Sequence, residues 1–395
     1  MKNRVLTYVG QKWQQYLIYG AALAAATSVL LFQLYKLAPY ASPSEEAARD
    51  SARTFVQLID NPLFLPHKVL QLFANIIGMD SLLVSRGISA LFGLIAVLFF
   101  YRVIRTWYTS RVALLGSGLF VTASWFLHTS RMATPTVLYL LSIALIWAGL
   151  RVVGNNQRQI TLFLIGGVTI FLLFVPGFVW LLLAAAIWQR KRIVQEIKRL
   201  RKPLAAALAF GTLIVIGILG QAFARDPSLL LTWLGAPETF VAKDAASNFL
   251  LTPYYVFVRA PYNPEIWLGR LPYVNIAITL LFGLGSFVMY RSIALDRIRA
   301  LLGILVIGSL LAALGGPVSL VIVLPLICVA ATAGIALLLQ QWFTVFPRNP
   351  IARGFGVLCV SMLVAFSAGY SMYQYFEAWP RNPDVQEVYT TQSQR

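Results

Sequence analysis

The chain has 395 residues, of which 59% are hydrophobic and 12% are charged. Soluble domains carry roughly a quarter charged residues, so this composition indicates a protein embedded in lipid and excludes an ordinary soluble enzyme. The excess of 32 Lys and Arg over 14 Asp and Glu lies in short segments between apolar runs, which is typical of topology signals and lipid contacts and argues against nucleic-acid binding.

About eleven apolar segments approach the length of about 20 residues that a helix needs to cross a bilayer. They fall at 16–38, 82–101, 112–128, 133–150, 160–174, 176–188, 203–223, 273–290, 300–315, 317–338 and 354–375. Val175-Pro176-Gly177 can be a turn between two short helices or a kink within one long helix. The sequence therefore predicts an all-α polytopic membrane protein, with residues 1–395 forming a single membrane domain.

The basic residues predict the orientation of these segments. A basic tail at 1–15 and a basic loop at 189–202 are expected in the cytoplasm, because Lys and Arg concentrate in short cytoplasmic loops. Joining 160–188 into one span would move the basic loop outside, so the rule favours two helices there. The first outer loop (39–81), the second outer loop (224–272) and an outer tail (377–395) hold most acidic residues. The predicted location is the cell membrane, with the N-terminus cytoplasmic and the C-terminus extracytoplasmic.

Two helices are predicted in the first outer loop. Ser42-Pro43-Ser44-Glu45 has the form of a capping box, which predicts a helix from Pro43 to about Asp60. A second helix is predicted over Pro66–Ile77, because its apolar residues recur with helical spacing while Lys68, Gln71 and Asn75 line the other face. A helix of this kind lies in the membrane interface.

Several short motifs in this half of the chain resemble the polytopic C-type (GT-C) glycosyltransferases, a family that includes aminoarabinose transferases and protein O-mannosyltransferases. The resemblance rests on Ser42-Pro43-Ser44-Glu45-Glu46-Ala47, Asn61-Pro62-Leu63, Ser85-Arg86-Gly87-Ile88-Ser89-Ala90-Leu91-Phe92-Gly93, Arg111-Val112-Ala113-Leu114-Leu115 and Trp125-Phe126-Leu127-His128-Thr129-Ser130-Arg131. It covers roughly residues 15–190, and it implies a helical membrane fold and a sugar donor carried on polyprenyl phosphate.

The resemblance also implies a catalytic site. Glu45 and Glu46 stand where the family has its acidic pair, so one of them is expected to be the general base or a ligand of a divalent metal, Mg or Mn. The leaving phosphate needs a cation, either that metal or Arg and Lys. The candidate substrate-binding residues are Asp60, His67, Lys68, His128, Arg131, Arg259 and Arg270. The chain departs from the family in having Glu45 for Asp, and Asn61 where a Lys or His often precedes two prolines; His67 or Lys68 can substitute for that basic residue.

Each candidate also has a structural alternative. Glu45 can serve only as the capping acid, and Glu46 can be part of a solvated helix face. Asp60 can be a turn residue, and His128 and Arg131 can extend to lipid headgroups. The stretch of the second outer loop that carries Tyr254, Tyr255, Tyr262 and Trp267 beside Arg259 and Arg270 can be an interfacial aromatic belt or a cleft that stacks on sugar.

Three functions remain open on this evidence. The first is a membrane glycosyltransferase that moves a sugar from a polyprenyl-phosphate donor to a glycan, lipid or protein acceptor of the cell envelope, on the outer face. The second is an O-antigen polymerase or ligase, which relies on basic residues and one large outer loop. The third is a non-catalytic flippase or scaffold for lipid-linked sugars. An ion-coupled pump is disfavoured, because no acidic residue is evident within the apolar segments.

Overall fold

The computed structural model describes residues 2–34, 40–153, 158–237 and 239–390, and it contains helices and no strand within those ranges. The α-helices are α1 (Lys2–Leu31), α2 (Pro43–Asp50), α3 (Phe55–Asp60), α4 (Leu65–Ile76), α5 (Leu82–Trp107), α6 (Ser110–Thr122), α7 (Ser124–Arg131), α8 (Ser142–Val153), α9 (Gln159–Leu172), α10 (Phe178–Arg199), α11 (Lys202–Arg225), α12 (Ser228–Leu234), α13 (Ala242–Phe257), α14 (Ile276–Arg291), α15 (Asp296–Ala313), α16 (Leu324–Val345), α17 (Pro350–Tyr373) and α18 (Pro383–Thr390). Short 3₁₀ turns precede α8 and α16, and a π-helical turn, Gln374–Ala378, follows α17. The predicted all-α fold is confirmed.

A helix coincides with every predicted span, but fewer of them qualify as membrane crossings on their own. Within the described ranges, five are long and apolar enough: Leu82–Trp107, Pro135–Val152, Lys202–Arg225, Leu320–Val345 and Pro350–Ala378. The pair α6 and α7, bent by 63°, makes a sixth if it is one broken span. Leu17–Leu31, Gln159–Leu172 and Ile276–Arg291 are apolar but shorter. The count of eleven spans therefore stays a prediction.

Parts of some predicted segments lie outside the described residues: the end of the first span and the start of the first outer loop (35–39), position 238 of the second outer loop, and residues 391–395 of the outer tail. Others differ from the structure. The helix predicted from Pro43 to Asp60 is two helices, because Thr54 and Gln57 form a second capping box that starts α3. The tail at 1–15 continues into α1, which begins at Lys2. Gly177 has a φ of +79°, so the break before α10 is a turn between helices rather than a kink.

The centre of the bundle is α16, which packs against α14 through glycines. A Cβ added to Gly285 would lie 1.7 Å from the carbonyl oxygen of Ala330, and one added to Gly334 would lie 2.2 Å from that of Leu281. The two backbones are therefore in direct contact, which is how small residues hold helices together where lipid provides no hydrophobic drive.

Gly285→Ala is expected to destabilise the protein by about 1–3 kcal/mol or more, because the methyl group must force the two helices apart. Gly283→Ala in the same helix is the matched control, since nothing lies within 4 Å of a Cβ at that position. Thermal unfolding in detergent measures both. Equal midpoints for the two variants would contradict the close packing of α14 on α16.

The two ends of the bundle differ in charge. At one end the Ser44 backbone N–H donates to the Glu265 carboxylate (3.0 Å), and the Tyr389 hydroxyl donates to the Glu265 carbonyl (2.9 Å). These bonds join the first outer loop, the second outer loop and α18. Because those segments hold most of the acidic residues, we call this end the acidic face. Helix α5 runs from there to Trp107, whose ring lies under Arg297. This second end, with Arg190–Lys202 and Asp296–Arg299, is called the basic face.

Candidate functional site

A buried ion pair lies beneath the acidic face. Glu45 is completely buried, and each of its carboxylate oxygens accepts two hydrogen bonds. Oε1 accepts from Arg86 Nε (2.9 Å) and from the Ala133 backbone N–H (2.8 Å). Oε2 accepts from Arg86 Nη2 (2.8 Å) and from the Ser42 N–H (3.0 Å), which completes the predicted capping box. The pair is bidentate, the strongest arrangement available to a carboxylate and a guanidinium.

The ion pair joins several segments of the chain. Arg86 also donates to the carbonyls of Leu34, after α1, and Tyr40, before α2. Because both oxygens of Glu45 are occupied, this carboxylate would have to break bonds before it could accept a proton or bind a metal. The geometry therefore favours the structural alternative, in which Glu45 anchors α2. Sequence reasoning left Arg86 unassigned, although a lone arginine in an apolar span needs a buried partner.

Glu46 differs from Glu45 in its exposure and in its pairing. Its side chain is exposed on α2, and no ion pair or hydrogen bond engages its carboxylate within the described part of the chain. The nearby Asp50 pairs with Arg53 (2.8 Å), so it is already neutralised. Glu46 is consequently a free carboxylate. It is held in place because Glu45, the residue before it on α2, is anchored in the core.

Helix α4 turns its polar face toward the protein. His67, Lys68 and Gln71 are buried, whereas Phe73 and Ile76 are 59% and 72% exposed. The predicted amphipathic helix is present, and its exposed apolar face suits the lipid interface. The predicted polar face lines the interior rather than water, so its side chains must find their partners inside the protein.

Lys68 lies beside the position where the family often has a basic residue. Its ammonium donates to the Asn61 carbonyl (2.8 Å), and burial lowers the pKa of Lys68 to about 8. His67 Nε2 lies 2.9 Å from the Ser89 hydroxyl, and burial, aided by the charge of Lys68, lowers the pKa of His67 to about 3. Lys68 is therefore the cation of this pair near neutral pH, and His67 is neutral.

A small hollow connects α2 with α4. It has a volume of about 10 Å³ and is lined by Arg49, Gln71, Ala74, Asn75, Met79, Asp80 and Ser85. Arg49 pairs with Asp80 (2.6 Å), while Arg49 Nε and both amide atoms of Gln71 are buried without a partner. Glu46 lies one turn before Arg49 on α2, and Lys68 lies one turn before Gln71 on α4. Sequence reasoning did not include Arg49 or Gln71 in the site.

The candidates Asp60 and His128 both contact other parts of the protein. Asp60 pairs with Arg225 at the end of α11. His128 is buried among Trp267, Tyr375 and Trp379, with ring centroids 4.6–5.2 Å away. Asp60 is the last residue of α3 before Asn61-Pro62, as the turn alternative has it, and it is also ion-paired. The headgroup alternative does not describe the buried His128.

Arg131 binds the end of a helix. Its guanidinium donates to the carbonyls of Val29 (2.7 Å) and Phe32 at the end of α1. It also lies over the rings of Tyr375 and Phe376. Arg131 is almost completely buried, so a donor phosphate would have to enter the packed interior to contact it, and the same burial excludes the alternative of an extended side chain at the headgroups.

The second outer loop contributes exposed cations and one acid. Arg259 and Arg270 are exposed, and neither side chain makes an ion pair or hydrogen bond with any described residue. Glu265, which was not a candidate, contacts the N-terminus of α2 through Ser44. Burial raises the pKa of Tyr389 well above its usual value, and the nearby Glu45 carboxylate adds to the increase. Tyr389 thus lies near the ion pair, on the side of α18.

The predicted divalent metal has no preformed group of protein ligands in the described residues. Glu45 has no free lone pair, and the described ranges contain no group of three His, Cys, Asp or Glu side chains able to hold a metal ion. Glu46 by itself offers one carboxylate, and a Mg²⁺ site of that kind takes its other ligands from water and substrate phosphate. The metal stays a prediction.

Comparisons with known proteins bear on this geometry. The family described as dolichyl-phosphate-mannose-protein mannosyltransferase matches residues 60–219, and no curated protein sequence matches the chain. The crystal structure of ArnT from Cupriavidus metallidurans in the apo state is similar with a TM-score of 0.57 at 11% identity, covering 95% of this chain and 78% of that one. The structure of ArnT from the same organism bound to undecaprenyl phosphate gives 0.52 at 12% identity over the same shares. The chain has the GT-C glycosyltransferase fold.

The predicted resemblance is therefore confirmed, through the family match over residues 60–219, which begins after the Glu45-Glu46 motif, and through the GT-C fold over nearly the whole chain. The predictions of a multi-pass membrane protein and of a glycosyltransferase are also confirmed at this level. Of the predicted site, Glu45 and Glu46 lie on α2 and Lys68 lies on α4, both in the first outer loop. His128 and Arg131 lie in the packed interior beneath the acidic face, and Arg259 and Arg270 lie on the surface of the second loop.

Proposed function

We propose that the protein transfers a sugar from a polyprenyl-phosphate donor to a glycan, lipid or protein acceptor of the cell envelope, at the acidic face and on the outer side of the membrane. The supporting observation is the similarity of nearly the whole chain to ArnT, one of whose structures is bound to undecaprenyl phosphate. The basic face supports the orientation, because Lys and Arg concentrate on the cytoplasmic side of membrane proteins.

Glu46 is the proposed general base. Its free carboxylate takes the proton from the acceptor hydroxyl while that oxygen forms a bond to the anomeric carbon of the sugar. The bond between the anomeric carbon and the phosphate oxygen breaks, and its electron pair leaves with the polyprenyl phosphate. Glu45 acts through position alone: its ion pair with Arg86 holds α2, and hence Glu46, in place.

Lys68 is the proposed cation for the leaving phosphate. Its ammonium group contacts Asn61, the position where the family often has a basic residue. An ammonium group stabilises the charge that develops on the phosphate oxygens. Arg259 and Arg270 are further candidates, since their guanidinium groups are exposed and suited to bidentate phosphate binding. The apolar face of α4, which is directed outward, is a surface along which a polyprenyl chain can lie.

The test uses the purified full-length protein with undecaprenyl phosphate and a panel of undecaprenyl-phosphate sugars. We expect undecaprenyl phosphate to bind, and to be released from one of these sugars when an envelope extract supplies the acceptor. Lys68→Gln should weaken the binding of undecaprenyl phosphate roughly tenfold, because a hydrogen bond to a charged group is lost. Wild-type binding should also weaken as the pH rises above about 8, where Lys68 loses its proton.

Lys243→Gln is the matched control, because Lys243 is an exposed lysine of the second loop. It should bind undecaprenyl phosphate as the wild type does, and Lys68→Gln should lack the loss above pH 8. If undecaprenyl phosphate does not bind and no sugar is released from any donor, the proposal is wrong. Binding without turnover of any sugar would favour the flippase or scaffold.

A further inference from the structure

Helix α10 changes character at one residue. From Phe178 to Trp188 it is apolar, and from Arg190 to Arg199 it carries five Lys or Arg residues. Gln189, between the two halves, has non-helical dihedral angles (φ −107°, ψ 18°). Ile187 and Trp188 are 74% and 49% exposed just before the break. Tryptophan is enriched where the hydrocarbon of a bilayer meets its headgroups, so the break marks that level.

A cavity lies at this break. It has a volume of about 310 Å³ and is lined by residues 187–192 together with Asp296. Asp296 is the first residue of α15, which becomes apolar one turn later. Both helices therefore pass from polar to apolar sequence at the level of the cavity. Its volume is at the lower end of the range of small-molecule sites, about 300–1,000 Å³.

The charge around the cavity is strongly positive. Arg190, Lys191 and Arg192 line it, and the single acid there, Asp296, is paired with Arg299 (2.7 Å). Arg190 and Lys191 form no ion pair with a described residue. The one acid of the basic half of α10, Glu196, is buried and paired with Arg199. An anion is the complement of such a surface.

We propose that this cavity binds the headgroup of an anionic phospholipid. Arg190 and Lys191 contact its phosphate, while the exposed Ile187 and Trp188 contact the start of its acyl chains. A polar headgroup joined to an apolar tail matches a cavity that is cationic on one side and borders lipid-facing side chains on the other. The site is on the basic face, away from Glu46 and Lys68, and it does not depend on the proposed sugar transfer.

The experiment is native mass spectrometry of the full-length protein in detergent, titrated with phosphatidylglycerol or with phosphatidylcholine of the same acyl chains. The wild type should bind phosphatidylglycerol in preference, and excess inorganic phosphate should not displace it. The double variant Arg190→Gln/Lys191→Gln should bind it about 30-fold more weakly, since each basic side chain near an anionic surface contributes about 1 kcal/mol.

Arg348→Gln is the control, because Arg348 is an exposed arginine of another loop and should leave the affinity unchanged. Equal binding of the two lipids, an equal loss in Arg348→Gln, or displacement by inorganic phosphate would each overturn the proposal. If the double variant does not fold, quenching of tryptophan fluorescence is the deciding measurement. Brominated phosphatidylglycerol should quench the fluorescence of the wild type more than that of Trp188→Phe. Equal quenching of the two would count against the site.

Discussion

Replacing Arg86 by Met is expected to lower the free energy of unfolding by about 3–5 kcal/mol, because it leaves the Glu45 carboxylate buried without its partner. Glu45 is completely buried and Arg86 nearly so, so water cannot replace the lost bonds. The change also releases the carbonyls of Leu34 and Tyr40, which Arg86 holds. Denaturation in mixed detergent micelles, or the thermal midpoint, measures the loss.

The double variant Glu45→Gln/Arg86→Met completes the cycle. It should be more stable than Arg86→Met alone, since no unpaired charge then remains in the interior. Arg53→Met is the matched control: the Arg53–Asp50 pair is exposed, so its loss should change stability by at most about 1 kcal/mol. If Arg86→Met proves as mild as Arg53→Met, the buried ion pair does not anchor α2.

Replacing Glu46 by Gln is expected to slow sugar transfer by about 10²- to 10⁴-fold, the usual contribution of a general base. The amide keeps the size of the side chain but cannot accept the acceptor's proton. Because Glu46 is exposed and unpaired, the stability of the protein and its binding of undecaprenyl phosphate should be unchanged. The measurement is the initial rate of undecaprenyl phosphate release under identical conditions.

Asp50→Asn is the control for this change, since Asp50 lies one turn further along α2 and is also exposed; it should retain full activity. Glu45→Gln distinguishes between Glu45 and Glu46 as the general base. If Glu46 is the base, Glu45→Gln should lower stability and activity together. A stable but inactive Glu45→Gln protein, beside an active Glu46→Gln protein, would transfer the base to Glu45 and contradict the anchoring role.

The first outer loop illustrates how far local patterns reach. The Ser42–Glu45 capping box and the apolar stripe of α4 were readable, because each depends on residues three or four apart. The second box at Thr54 and Gln57 has the same form and could have been found. The direction of the polar face of α4 could not, since periodicity separates two faces of a helix without telling which one contacts protein and which contacts lipid.

The candidate site divides in the same way. Glu45 and Glu46 are adjacent and chemically identical in the sequence, and the family resemblance assigned both to catalysis. Only the tertiary structure separates them, because Arg86 and Ala133 lie 41 and 88 residues away from Glu45 along the chain. In the sequence Arg131 likewise resembles a phosphate ligand. The structure shows instead that its guanidinium binds the carbonyls at the end of α1.

By itself, then, the amino-acid sequence determined the class of the protein, the sites of its helices, and which loops carry acid and base, because apolar length and charge clustering are properties of contiguous residues. The tertiary structure decided which carboxylate is occupied and which is free, which lysine is buried beside Asn61, and where a cavity forms between α10 and α15. Those outcomes depend on contacts between segments distant in the chain, and their desolvation and pairing energies exist only once the helices have packed.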